Sequence, residues 1–158
     1  MKTFLKILVL TLLIPAFTYA ANMNASLKVY RPLAVTVVSH IVMPSAYTTD
    51  AGAINSEGTT SIPGGQNGAN AELSITGHPN KVYSLSFATT VDITNGTDTL
   101  TIALAMGTGE GTKTGRTMPV GGTDTPSIKG SVTLPGTLSD GDYANASPVA
   151  VTATYDAV

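Results

Sequence analysis

Few side chains in this sequence could act as a general base. The chain has two histidines and no cysteine. A serine nucleophile needs a base to take its proton, and only His40 or His78 could serve. His40 follows Ser39 at the predicted end of a strand, and His78 lies in a turn before Pro79. Neither histidine is near an acidic cluster in the sequence, so we predict neither a catalytic triad nor a zinc site.

A glycine-rich stretch at residues 107–114 superficially resembles a phosphate-binding loop. In such loops the lysine directly follows a glycine, and a helix follows the loop to supply a positive dipole end. Here Thr112 separates Gly111 from Lys113, and no helical periodicity follows. We therefore interpret the stretch as a flexible connection between strands.

Three aspartates could attract calcium, but their spacing does not form a recognised calcium loop. Asp140 and Asp142 are separated by one glycine, and Asp124 is distant in the sequence. Nothing in the sequence indicates the paired carboxylates of a glycoside hydrolase. We therefore expect no enzyme activity and no cofactor.

The first twenty residues have the pattern of a secretory signal. Lys2 and Lys6 precede an apolar stretch, and small side chains at Thr18 and Ala20 match the preferences of signal peptidase. We predict cleavage after Ala20, and no later apolar run is long enough to span a membrane. The predicted organisation is a signal peptide at residues 1–20, an N-terminal extension at 21–32 and one domain at 33–158.

The composition of the mature chain favours strands and excludes some partners. Removal of the two signal-peptide lysines leaves six basic against ten acidic residues, so no basic surface for nucleic acid or an anionic membrane is expected. Only 11% of residues are charged, and threonine, which suits a half-exposed sheet, fills many polar positions. Without cysteine, stability must come from packing, sheet pairing or neighbouring subunits.

Apolar residues alternate with polar ones on both sides of Pro32, which is the signature of strands with one buried face. They are Ala25, Leu27 and Val29 before the proline and Leu33, Val35 and Val37 after it.

Similar alternation recurs through the rest of the chain, between turn signals. We predict a hairpin between residues 71–75 and 82–87 across the turn at 76–80, and a second hairpin across Asn95-Gly96. Further strands are predicted at 128–134 and 149–155, with long connections at 44–70, including a short edge strand at 59–62, and at 107–122. Seven or eight short strands without helical periodicity indicate an all-β, immunoglobulin-like antiparallel sandwich.

Two stretches resemble the DUF4402 domain, a family of exported bacterial proteins. Residues 71–85 resemble its hairpin, in which a Thr-Gly pair, a proline and a tyrosine follow alternating apolar residues. Residues 128–155 are similar to its closing pattern of a strand, a Leu-Pro turn and a final strand. Arg31 to Thr36 resembles its opening.

The two ends of the mature chain also resemble chaperone–usher pilins. Gly141 precedes Tyr155 by 14 residues, a glycine-to-aromatic spacing similar to the pilin C-terminal pattern, and Tyr143, Val149 and Val151 lie between them. The chain departs from that pattern because three residues follow Tyr155 and the pilin disulfide is absent. The resemblance implies an incomplete sandwich, a periplasmic chaperone, an outer-membrane usher and self-association into a surface polymer.

The sequence leaves two functions open. In the first, Ala25, Leu27 and Val29 form a donor strand that completes the sandwich of a neighbouring fimbrial subunit. Gly141, Tyr143, Val149, Val151 and Tyr155 then belong to a C-terminal assembly strand. In the second, residues 24–30 are the first strand of a complete, secreted binding or adhesion module.

Overall fold

The structure is a computed structural model, and it describes residues 27–58, 68–107, 109–110 and 113–157. The predicted signal peptide, Ala25 and the predicted edge strand at 59–62 lie outside these ranges. All regular secondary structure within them is β-strand.

Nine strands have five or more residues, and three have two. They are β1 (Ala34–Ser39), β2 (Ala51–Asn55), β3 (Ala71–Thr76), β4 (Val82–Phe87), β5 (Thr90–Thr94), β6 (Thr99–Met106), β7 (Gly109–Glu110), β8 (Lys113–Thr117), β9 (Thr123–Asp124), β10 (Ser127–Pro135), β11 (Ala144–Asn145) and β12 (Val151–Tyr155).

The strands form two antiparallel sheets of unequal size. The large sheet has the order β1-β3-β10-β6-β5-β11, and β2, β7 and β9 pair with β10, β6 and β3 respectively. The small sheet has the order β12-β4-β8. The prediction of an all-β sandwich is confirmed.

The core lies between the inner faces of the two sheets. Alternate residues of β3 and β4 are buried, which is the burial pattern of strands that have one face on a core. Ile75, Tyr83 and Leu85 are completely buried, and β6 and β10 contribute Leu104 and Leu134.

The predicted hairpin between residues 71–75 and 82–87 is wrong. β3 lies in the large sheet and β4 in the small one, so the turn between them carries the chain across the core. Alternation shows that each strand has one buried face, but two strands that face each other across a core have the same pattern as two that pair. Gly77 allows the crossing, because a Cβ atom there would lie 2.7 Å from Leu33 Cδ2.

The second predicted hairpin is confirmed. β5 pairs with β6 from Thr90↔Ala103 to Thr94↔Thr99. Asn95 caps the turn, since its Oδ1 accepts hydrogen bonds from the Thr97 and Asp98 amides. Gly96 has a φ of 90°, which favours glycine.

Three strands, β2, β7 and β8, lie in regions predicted as connections, and one predicted strand is not formed. β2 and β8 contain glycine and short or charged side chains, so they have little apolar alternation to reveal them. Residues 27–30, the described part of the segment that the alternation before Pro32 placed in a strand, have no strand structure. They run as an exposed segment into β1.

The sandwich has two distinct ends. The "arm end" is where residues 28–33 join the body, beside the turn at 77–81, the loop at 116–124 and residues 155–156; Gly77 donates a backbone hydrogen bond to Gly122 there. The "far end" comprises residues 47–50, 95–98 and 136–143, which are joined by hydrogen bonds from Leu138 to Thr48 and from Ser139 to Asp98.

Strand register places these ends on opposite sides of the body. β6 leaves the far-end turn at Thr99 and reaches Ala105, which pairs with Lys129 of β10. The neighbouring residue Ile128 pairs with Ala71, and β3 continues from there to the arm end.

Candidate functional site

An apolar groove lies over the inner face of the large sheet. Because the small sheet has three strands against nine, it leaves part of that face without a covering strand. The groove has a volume of about 670 Å³. It is lined by Val37, His40, Ile41, Met43, Ala71, Leu73, Val91, Ile93, Ile102, Leu104, Ile128, Tyr143, Ala144, Asn145, Pro148, Val149 and Val151.

Two strand edges border this groove. In the part of the chain that the structure describes, β1 pairs only with β3, and β12 pairs only with β4. The outer edges of β1 and β12 therefore have no strand partner there. Val37 of β1 and Val151 of β12 both line the groove, so it lies between the two edges. A sheet edge without a partner presents backbone donors and acceptors that another strand can use.

Apolar side chains at the rim of the groove are less buried than those on its floor. Val37 points inward with Leu73 opposite it in the ladder, yet Val37 is 46% exposed and Leu73 is 1% exposed. Ile93 and Val149 are only half-buried, although both pack on the core. The rim of the groove therefore exposes apolar side chains to solvent.

Toward the arm end, Tyr155 bridges β12 and the chain before β1. Its hydroxyl donates to the Arg31 carbonyl oxygen at 2.7 Å and accepts from the His78 amide at 2.5 Å. This bridge lies on the arm-end side of Val37 and Val151, the residues of β1 and β12 that line the groove.

The far-end rim of the groove is held by Tyr143. Its hydroxyl lies 3.1 Å from the Ser139 carbonyl oxygen and 3.2 Å from the Asp98 carboxylate. Hydrogen bonds from Ser139 lower the pKa of Asp98, and burial together with the Asp98 carboxylate raises the pKa of Tyr143. This rim fixes the start of the chain segment that leads into β12.

The structure brings together most of the predicted C-terminal assembly residues. Tyr143, Val149 and Val151 line the groove, and Tyr155 bridges β12 and Arg31 at the arm end. Gly141 lies in the exposed far-end loop with a φ of 141°, so it serves the turn and not the groove.

The described part of the predicted donor segment is exposed. Leu27 is 87% exposed and Val29 is 77% exposed. Both are large apolar side chains on a segment without strand structure, which is an unusual use of such residues. Residues 21–29 are called the arm from here on.

The arm is fixed to the body by Tyr30. Its ring meets the His78 ring edge-on, with 5.2 Å between centroids, and lies 6.4 Å from the Tyr155 ring. The Lys81 ammonium sits 4.3 Å from the Tyr30 centroid, and its hydrogen bond lowers the pKa of the Tyr30 hydroxyl. This cluster was not predicted, because its members are distant in the sequence and have no common motif.

A second unpredicted cluster joins the two sheets. Tyr83 of β4 donates to the Asp124 carboxylate of β9, and the Arg116 guanidinium of β8 binds that carboxylate through two nitrogens, at 2.6 and 2.9 Å. Burial and the Asp124 hydrogen bond raise the pKa of Tyr83 to about 12. Burial opposes ionisation of Asp124, but the bonds from Tyr83 and Arg116 outweigh it and lower the pKa.

The two histidines lie in different settings. His40 lines the groove, whereas His78 belongs to the Tyr30 cluster at the arm end. Within the described ranges, no group of three or more histidine and carboxylate side chains could hold a metal ion, and no helix is long and apolar enough to cross a membrane.

Comparison with known proteins adds no relative. No protein-family model, curated protein or solved structure matches this chain.

Proposed function

We propose that this protein is an exported structural subunit of a bacterial fimbria- or pilus-like surface polymer, assembled by β-strand donation. The observation that carries the proposal is the apolar groove between the outer edges of β1 and β12. In the polymer, the arm of one copy fills the groove of the next.

The groove offers the two kinds of contact that bind an added strand. The edges of β1 and β12 supply backbone hydrogen bonds, which give affinity, and alternate pockets select side chains. The arm has a matching alternation, with apolar Ala25, Leu27 and Val29 separated by Ser26 and Lys28. Its apolar side chains would enter the groove while the polar ones face solvent.

The arm is long enough to reach along the groove. With cleavage after Ala20, the nine residues 21–29 span about 30 Å when extended, at about 3.3 Å per residue. On the β12 side the groove is lined by Pro148, Val149 and Val151, a stretch of four residues or about 13 Å. The extended arm is therefore longer than this stretch.

Strand donation accounts for the exposure on both surfaces. A free subunit exposes apolar side chains in the groove and on the arm, which is an aggregation hazard. Pairing the two surfaces buries them together, in a chain that has no cysteine for disulfide stabilisation. A periplasmic chaperone that covers the groove before assembly, and an usher that releases it, are the partners this function requires.

Purified mature chain, residues 21–158, tests the proposal. We expect it to form oligomers that resist SDS at room temperature and separate on boiling. Val29→Asp should abolish these oligomers, because a carboxylate cannot enter an apolar pocket without a partner. Ser26→Asp is the matched control. It adds the same charge to the other face of the arm and should not change the formation of the SDS-resistant oligomers.

A soluble monomer that forms no ladder, with residues 21–31 paired into its own sheet, would instead support the self-contained binding module. Equal behaviour of the Val29→Asp and Ser26→Asp chains would also refute donation by the arm.

A further inference from the structure

The far end of the molecule is acidic. Its loops carry four carboxylates, from Asp50, Asp98, Asp140 and Asp142, and no lysine or arginine occurs in residues 47–50, 95–98 or 136–143. Asp140 and Asp142 are exposed, and they lie next to the Tyr143 rim of the groove.

The arm end has the opposite charge. Among its described residues it holds four cations, from Lys28, Arg31, Lys81 and Arg116, against the carboxylates of Asp124 and Asp156. Arg116 is neutralised by Asp124, and no carboxylate is within salt-bridge distance of Lys28, Arg31 or Lys81 in that part of the chain. The arm therefore leaves the body from a positive surface.

The Tyr155–Arg31 bridge and the charges together favour one end of the acceptor. The bridge joins β12 to the chain before β1 at the arm end, whereas Tyr143 and Pro148 line the groove on the other side. An arm that enters from the side without the bridge has its tip at the acceptor's arm end. Its root, at Tyr30 of the donor, then emerges at the acceptor's far end.

We propose that the arm end of one copy docks on the far end of the next, with Lys28 and Arg31 of the donor against Asp140 and Asp142 of the acceptor. The proposal rests on strand donation, and it adds the direction of entry and a second contact surface. The incoming strand runs antiparallel to β12 and parallel to β1. With the opposite direction, two positive arm ends would meet.

Complementary charges at the rim of an interface act mainly on the rate of association and its salt dependence. The Debye length is about 10 Å at 0.1 M salt and about 3 Å at 1 M, so the attraction is felt before contact only at low salt. Assembly should therefore slow as salt is raised, although the groove contact is apolar.

The experiment measures the rate of SDS-resistant ladder formation by the mature chain at 50 mM and 500 mM NaCl. Asp140→Lys/Asp142→Lys should slow assembly at low salt by about tenfold, and adding Lys28→Glu/Arg31→Glu to the same chain should restore the rate. Glu72→Lys/Asp92→Lys is the matched control. It makes the same change in net charge at exposed positions outside both ends and should leave the rate within about twofold.

Equal rates for the far-end variant and the control would overturn the docking proposal while the ladder itself upholds strand donation. If the wild-type chain forms no ladder, the proposal of strand donation is refuted. Cross-linking then tests separately whether the arm end of one copy contacts the far end of another.

The absence of cysteine gives a clean background for that measurement. A Val120→Cys chain, substituted at the arm end, is mixed with a Thr97→Cys chain, substituted at the far end. Disulfides between the two different variants support the contact, and disulfides only between identical variants contradict it.

Discussion

At the residue scale, the Asp124 carboxylate is the centre of a polar cluster between the two sheets. It accepts from both Tyr83 and Arg116 and thereby joins the small sheet to β9 of the large one. Arg116 also donates to the Tyr83 hydroxyl at 3.2 Å, so the three side chains form a closed set. A charge that is paired and hydrogen-bonded in this way stabilises the fold only while it remains ionised.

Asp124→Asn should therefore lower the free energy of unfolding at pH 7 by about 1–3 kcal/mol, because it leaves Arg116 without its partner. The pKa of Asp124 is lowered in the folded state, so its contribution is present above the unfolded pKa of about 3.9 and is lost as pH falls through the folded value. Urea unfolding between pH 7 and pH 2 measures this difference.

Asp92→Asn is the control for that measurement, since Asp92 is exposed and accepts a hydrogen bond from the Thr101 hydroxyl. A difference between the Asp124→Asn and wild-type chains that does not shrink toward pH 2 would contradict the assigned role.

At the scale of elements, periodicity predicted the strands well and their partners poorly. The alternation in residues 71–75 and 82–87 located β3 and β4, and Asn95-Gly96 located the turn between β5 and β6. The same alternation predicted a strand before Pro32, but residues 27–30 form none, because an apolar face without a partner in its own chain has nothing to pair with. Which sheet a strand joins depends on contacts between residues distant in sequence, and no local pattern contains them.

The contribution of an apolar side chain in β1 or β3 to the free energy of unfolding should depend on how deeply that side chain is buried. In the free chain, Val37→Ala should lower the free energy of unfolding by less than about 1 kcal/mol, because the Val37 side chain is already 46% exposed. Leu73 pairs with Val37 in the ladder. Leu73→Ala should lower the free energy of unfolding by about 2–5 kcal/mol, because it leaves a cavity in the buried core. Denaturant unfolding of both variants tests this contrast.

After addition of a synthetic peptide of residues 21–32, Val37→Ala should lower the free energy of unfolding by more than it does in the free chain, since the donated strand would bury the Val37 side chain. The same cost for Val37→Ala with and without bound peptide would show that the groove is not the binding site.

At the scale of the whole molecule, the two sheets of the sandwich differ in size and its two ends differ in charge. A sheet of nine strands faces one of three, Tyr155 bridges β12 and Arg31 at the arm end, and the two ends have opposite charge. The class of fold and the candidate residues Val149 and Val151 could be predicted from the sequence, because both depend on alternation. The groove, the Tyr155 bridge and the polarity of the ends could not, because they depend on which strands meet.

Hydrogen exchange at the outer edges of β1 and β12 tests strand donation most directly. The mature Val29→Asp chain, which should stay monomeric, is measured with and without the peptide of residues 21–32. We expect the peptide to slow exchange of amides in Ala34–Ser39 and Val151–Tyr155 by at least tenfold, while β8, at the opposite edge of the small sheet, is unchanged. Unchanged exchange at β1 and β12 under saturating peptide would contradict the account.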